Sequence, residues 1–142
     1  MTATILSAKT LVFDGDGRVL VLRRSETHPK KPHHTDLPGG LIEPGEPEVV
    51  GMVREVQEET GLVLAPDTCT VFYTHTHMLP SGKSLNMLLY YIRLDHTPEI
   101  TISWEHESYE WCTLDELLAR DDLEQPERTA IEYAVANGLF TS

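Results

Sequence analysis

Residues 40–62, GLIEPGEPEVVGMVREVQEETGL, constrain this chain more than any other stretch. Within them Glu55, Glu58 and Glu59 crowd their carboxylates together just before Gly61. The flanking residues predict a helix over 47–60. Pro47 suits a first helical position, where its missing N–H costs nothing, and Glu46 and Glu48 complement the positive end of the helix dipole. Val49, Met52, Val53 and Val56 recur at helical spacing as an apolar stripe, and Gly61 is a natural stop. On such a helix the glutamates stand at i, i+3 and i+4, one turn apart and away from the stripe. Gly51 lies on their side and leaves room there. Like charges so placed destabilise a bare helix by about 0.2–0.5 kcal/mol per pair. A divalent cation would offset that cost, and Mg²⁺ favours a few carboxylate oxygens together with water and substrate phosphates. The carboxylates alone leave two readings open, a solvated acidic face and a metal site.

The wider pattern separates them. Gly40, five residues, Glu46, seven residues and then Arg54-Glu55-Val56-Gln57-Glu58-Glu59-Thr60-Gly61-Leu62 resembles the Nudix box at every fixed position. A chance match of that many residues is on the order of one in 10⁸ per start position. The resemblance implies a Nudix hydrolase, which cleaves a nucleoside diphosphate linked to another moiety. It also implies an α/β fold, an α/β/α sandwich around a mixed β-sheet, spanning residues 1–142 as a single domain. One to three Mg²⁺ ions, with Mn²⁺ as a substitute, would be held by Glu55, Glu58, Glu59 and the backbone carbonyl of Gly39. Glu58 and Glu59 are the primary ligands, and Glu55 is a ligand or the general base. Arg54 would hydrogen-bond a neighbouring carboxylate and fix its aim. Glu46 lies a full element away from the 55–59 cluster and reads as structural. The family commonly carries one more carboxylate ahead of a tryptophan. Glu105, six residues before Trp111, fits as an extra metal ligand or competing base, with Glu107 as the second choice in what reads as a polar loop.

The remaining chain alternates strands and loops. Residues 5–13 (ILSAKTLVF) and 18–24 (RVLVLRR) read as a hairpin around Asp14-Gly15-Asp16-Gly17. Strand alternation sends Arg23 and Arg24 to opposite faces, and the family resemblance favours Arg24 as a contact to substrate phosphate. Residues 25–35 (SETHPKKPHHT) lack any period and read as a loop. Its Lys30, Lys31, His33 and His34 leave two readings open, a solvated loop and a mobile, locally basic flap over an anionic substrate with Lys31 as a binding residue. Residues 69–78 and 85–94 read as two strands around Pro80-Ser81-Gly82, the second buried on both faces. His75 and His77 share a strand face, but no third soft ligand accompanies them. Tyr73, Tyr90 and Tyr91 are candidates to stack on a base. Short helices are expected over 114–119 and 126–139, the latter with Ala130, Ile131, Ala134 and Val135 as its apolar stripe.

Composition bounds the partners. A net charge of −12, from 23 acids against 11 bases, argues against a surface that coats nucleic acid. It is compatible with a small nucleotide, whose phosphates a metal and a few bases neutralise. No signal peptide and no long apolar run are seen, so a cytoplasmic protein without membrane attachment is expected. Cys69 and Cys112 form neither a metal spacing nor a disulfide framework. Assembly is open between a monomer and the homodimer common among relatives. The small size weakly favours a nucleoside triphosphate or similar small nucleotide. The rival reading is a Nudix-fold module that senses a nucleotide without hydrolysing it. Such modules usually lose box carboxylates, and this chain keeps them all. An isoprenoid-diphosphate isomerase fits less well, for want of a catalytic cysteine setting.

Overall fold

Strand β1 (Thr4–Phe13) runs in parallel register with β6 (Ser84–Arg93), and the sheet grows outward from this pair. The computed structural model describes residues 4–29 and 31–140. Among them, one seven-stranded mixed sheet has the order β3-β2-β1-β6-β5. Here β2 is Val19–Arg24, β3 is Thr35–Asp36 and β5 is Thr70–Met78. The three-residue strand β4 (Gly39–Leu41) pairs antiparallel with β1, and β7 (His106–Cys112) pairs antiparallel with β2.

Both faces of the central strands are apolar because both are covered. On one face Ala8, Val12, Leu20 and Leu22 pack against Met52 and Val56 of helix α1 (Glu48–Thr60). On the other, Leu11, Phe13, Val19 and Val21 pack against Leu117 of α2 (Leu114–Leu118) and Ile131 of α3 (Glu127–Ala136). This is the α/β/α sandwich around a mixed sheet. Thr113 caps α2 through a capping box with Glu116. No helix among the described residues is long and apolar enough to cross a membrane.

The helix of the box forms nearly as its residues dictate. Pro47 stands one place earlier than expected, as the N-cap, and Gly61 closes the helix in the left-handed conformation with φ 78°, its N–H bonded to Gln57 O. The space beside Gly51 is filled, because Ile42 and Glu46 of the preceding loop pack there. Two details differ further from the sequence reading. Residues 106–112 are a strand rather than part of a polar loop, since β2 offers them a free edge. Val135 is exposed, and only Ala130, Ile131 and Ala134 of the α3 stripe are buried.

Candidate active site

The expected glutamate face is one face in direction but not in environment. Glu58 is 58% exposed, Glu55 is 18% exposed, and Glu59 is buried at 4%. The difference comes from β4, which lies over the later turns of α1. The Gly39 N–H donates to Glu59 Oε1 at 2.7 Å. A Cβ on Gly40 would sit 2.7 Å from Glu55 Oε2, so the bare backbone there makes room for that carboxylate. Gly39 itself has φ 131°, and a Cβ on it would fall 2.0 Å from the Ala8 carbonyl oxygen. Only glycine lets β4 sit on β1 while turning its backbone toward α1.

Arg54 organises the exposed side of this cluster. Its guanidinium donates to Glu46 (Nε at 2.9 Å), Glu55 (3.2 Å), Glu58 (3.1 Å) and the Leu41 carbonyl (3.2 Å). Glu46 also accepts the Glu43 N–H. The carboxylate that seemed a full element away is therefore tied to the cluster through one arginine. Spread over several acceptors, Arg54 offsets the repulsion that helical spacing builds in.

The segment before β7 brings Glu105 in. The Thr101 N–H bonds the Thr60 carbonyl at 3.0 Å and the Ser103 N–H bonds the Glu59 carbonyl at 3.2 Å, so the segment docks on the open end of α1. Glu105 then lies close enough to disfavour ionisation of both Glu55 and Glu59. Glu107 points elsewhere and pairs with His33. Among the described residues no three carboxylates are already gathered into a ligand shell. Arg54 and the Gly39 amide occupy them instead. The Gly39 carbonyl accepts from Lys9 Nζ at 3.3 Å. The donor set is nonetheless all oxygen and acidic, which suits a hard cation.

Beneath this cluster lies a buried ionic network that the motif does not reveal. Lys9 Nζ donates to Asp36 Oδ1 at 3.1 Å and to the Leu37 carbonyl at 3.2 Å. Asp36 also pairs with Arg24, and His106 Nε2 lies 2.9 Å from its Oδ2. Burial alone would raise the Asp36 pKa, but Lys9, the His106 hydrogen bond and Arg24 together hold it far below the usual carboxylate range. Lys9, Asp36, His106 and Glu127, whose carboxyl burial pushes up, were not picked out from the sequence. The available signal was Lys9 itself, a lysine inside an apolar strand, because a buried charge must be paired. Arg24 is thus engaged with Asp36, whereas Arg23 faces the His33 carbonyl and Asp122. Lys31 pairs with Glu124 at 2.6 Å, and Lys30 lies outside the described residues.

Burial, more than the nearby Asp36 and Glu105 charges, pushes Glu59 up to about 8 from an ordinary 4.5, against the pull of Lys9 and the Gly39 N–H. The folded state therefore binds this proton more tightly than the unfolded chain. Its stabilising effect is complete below about pH 4.5 and is lost as pH rises toward 8, amounting to on the order of 4 kcal/mol. In EDTA, thermal melts should show Tm falling between pH 5 and 8. Glu59→Gln should flatten that slope, and an unchanged slope in the variant would show that Glu59 is not its source.

A pocket of about 370 Å³ opens on the α3 side of the sheet, lined by Tyr73, His75, His77, Met87, Gln125 and Thr129. Tyr73, Leu89, Lys9 and Gly39 form one row across β5, β6, β1 and β4, and the Gly39 N–H at the end of that row holds Glu59. His75 and His77 stack at 6.3 Å, and neither belongs to a metal-holding group among the described residues. Tyr90 is buried in the α1-side core, and Tyr91 packs against Phe72 and Phe140, so of the three tyrosines only Tyr73 lines this pocket.

An acidic helix seated under a glycine strand at one end of a mixed sheet defines the class, and comparison with known proteins agrees. The NUDIX domain family model matches residues 4–134. The asymmetrical bis(5'-nucleosyl)-tetraphosphatase of Caenorhabditis elegans is 27% identical over 108 residues, 72% of this chain and 73% of that one. A MutT-like protein of Streptomyces ambofaciens is 31% identical, covering 81% of this chain and 68% of its own length. The crystal structure of a MutT protein from Methanosarcina mazei Go1 superposes with TM-score 0.82 at 27% identity over 96% of each chain. The chain belongs to the Nudix family and is a Nudix pyrophosphohydrolase.

Proposed function

We propose that this protein hydrolyses a nucleoside diphosphate linked to another moiety, with Mg²⁺ as the natural cation and Mn²⁺ as a substitute. The observation that carries the reading is the single row of the sheet that runs from Tyr73, at the pocket, to Gly39, whose N–H holds Glu59. Three strand spacings, roughly 14 Å, separate Tyr73 from Gly39. That span suits a base and sugar at one end and a diphosphate at the other.

Glu55, Glu58, Glu59, Glu105 and the Gly39 carbonyl would hold the cation. When bound, it would neutralise phosphate charge and lower the pKa of attacking water. The chain's own contribution is orientation. Arg54 aims Glu55 and Glu58, and the Gly39 N–H aims Glu59. Glu105, where it is not a ligand, would take the proton from water as the water oxygen bonds phosphorus and the bridging P–O bond breaks, the leaving phosphate departing as its anion, with Glu55 as the alternative base. Glu107, engaged with His33, is the weaker choice. Arg24 and Lys31 would reach substrate phosphate only by exchanging Asp36 and Glu124 for it.

The pocket seats one nucleoside. Tyr73 offers a ring to a base, and Gln125 Oε1 is engaged by Thr129, so what the amide offers a ligand is its N–H₂ group. Base stacking on an aromatic is worth about 1–3 kcal/mol by alanine substitution. Tyr73→Ala should lower kcat/KM by about tenfold, mostly through KM. A change confined to kcat would exclude Tyr73 as the base platform. The reaction is tested by incubating protein and Mg²⁺ with nucleoside triphosphates, dinucleoside polyphosphates, ADP-ribose and nucleotide sugars, and identifying products by mass. Turnover names the bond cut. Metal-dependent nucleotide binding without turnover would instead support a sensor.

A further inference from the structure

His106 is buried, its side chain fully so, at the start of β7 and directly after Glu105. Its two ring nitrogens face two carboxylates. Nε2 lies 2.9 Å from Asp36 Oδ2, and Asp36 is fixed as an acceptor by Lys9, Arg24 and the Leu37 N–H. Nε2 therefore carries the hydrogen and donates it. Nδ1 is a buried polar atom with no hydrogen-bond partner among the described residues, and it stands 4.0 Å from Glu59 Oε2. That gap is beyond hydrogen-bond length, and with the hydrogen of the neutral ring on Nε2 the imidazole presents a lone pair at Nδ1, which repels an ionised Oε2 that swings toward it. Glu59 can turn only about its Oε1, which the Gly39 N–H tethers.

A buried polar atom left without a partner is costly, and each one in a native protein calls for an explanation. Here the orphan atom is aimed at the one free oxygen of a proposed cation ligand. The imidazole that carries it is clamped from behind by an ion-paired aspartate. We propose that His106 is a positioning residue for Glu59: anchored through Nε2 to Asp36, it limits the swing of Oε2 and holds that oxygen toward the cation. This rests on the reading of Glu59 as a cation ligand. The same short segment then supplies both a carboxylate, Glu105, and the group that aims a second one.

The test is Mn²⁺ binding by calorimetry, beside thermal melts, for wild type, His106→Gln, His106→Asn and Glu59→Gln. Glutamine keeps a donor reaching Asp36 and loses the atom at the Nδ1 position. Asparagine keeps a polar atom at that position. Partners that orient metal ligands are typically worth 10–100-fold in affinity. His106→Gln is expected to weaken Mn²⁺ binding by at least tenfold with Tm near wild type, and His106→Asn to recover part of the loss. A merely structural histidine would move Tm and leave the Mn²⁺ affinity of the folded protein unchanged. If both His106 variants bind Mn²⁺ as wild type while Glu59→Gln does not, the role of His106 is overturned and the cation site stands. If Glu59→Gln also binds as wild type, the cation reading fails and this role fails with it.

Discussion

Glu59→Gln is expected to lower nucleotide hydrolysis by at least about 10²-fold, the usual scale for removing one electrostatic contact to a transition state, with folding intact. Glutamine has the same shape, and its Oε1 can still accept the Gly39 N–H that glutamate accepts at 2.7 Å. Burial already pushes the Glu59 carboxyl up to about 8, so near neutral pH a neutral amide resembles the protonated acid that the cation-free fold prefers. What the substitution removes is the ability to become an anion when a cation arrives. Glu58→Gln should also abolish activity, for a different local reason. Glu58 is largely exposed and is held by one hydrogen bond from Arg54, so its loss barely touches the fold. Measuring kcat/KM with Mg²⁺ beside Tm for both variants checks the pair. Wild-type turnover in both would remove these residues from the mechanism.

The second large effect is on stability. Gly39→Ala places a methyl 2.0 Å from the Ala8 carbonyl oxygen and 2.8 Å from Lys9 Cα, in a residue whose φ of 131° side chains rarely adopt. Both neighbours are backbone of the central strand and cannot turn aside. Strand β4 must lift away from β1, taking with it the amide that tethers Glu59 and the carbonyl proposed to face the cation. A loss on the order of 4 kcal/mol is expected, which for a chain of this size lowers Tm by roughly 10 °C or more. Gly40→Ala is the informative contrast. Its methyl would meet the far end of the Glu55 side chain at 2.7 Å, and a flexible carboxylate can move. Stability should fall less there than activity does. Equal Tm losses in the two variants would show that backbone contact is not what distinguishes the glycines.

The sequence was most informative where the physics is local. Helix α1, its stop at Gly61, the hairpin turns and strands β1, β2, β5 and β6 follow from spacing, caps and alternation, with bounds shifted by only a residue or two, whereas β3, β4 and β7 do not. The environment of the site was less legible. Identical spacing rules place Glu58 and Glu59 side by side, yet one is in solvent and the other is under β4. Helical periodicity sets a direction, while burial depends on what another segment lays over that direction. Arg24 shows the same limit: alternation assigns it the face opposite Arg23, but only the tertiary structure supplies Asp36 as its partner.

By itself, then, the sequence determined the acidic helix, its family and its chemistry. Those reside in residues close along the chain, whose relative geometry the backbone dictates. Tertiary structure decided that Glu105 rather than Glu107 approaches the cluster, because segment 101–103 hydrogen-bonds the carbonyls that α1 leaves open at its end. It also assembled Lys9, Asp36 and His106 into one buried network from three strands. Charges taken out of water must find partners wherever the fold brings them, and distance along the chain does not record where that is.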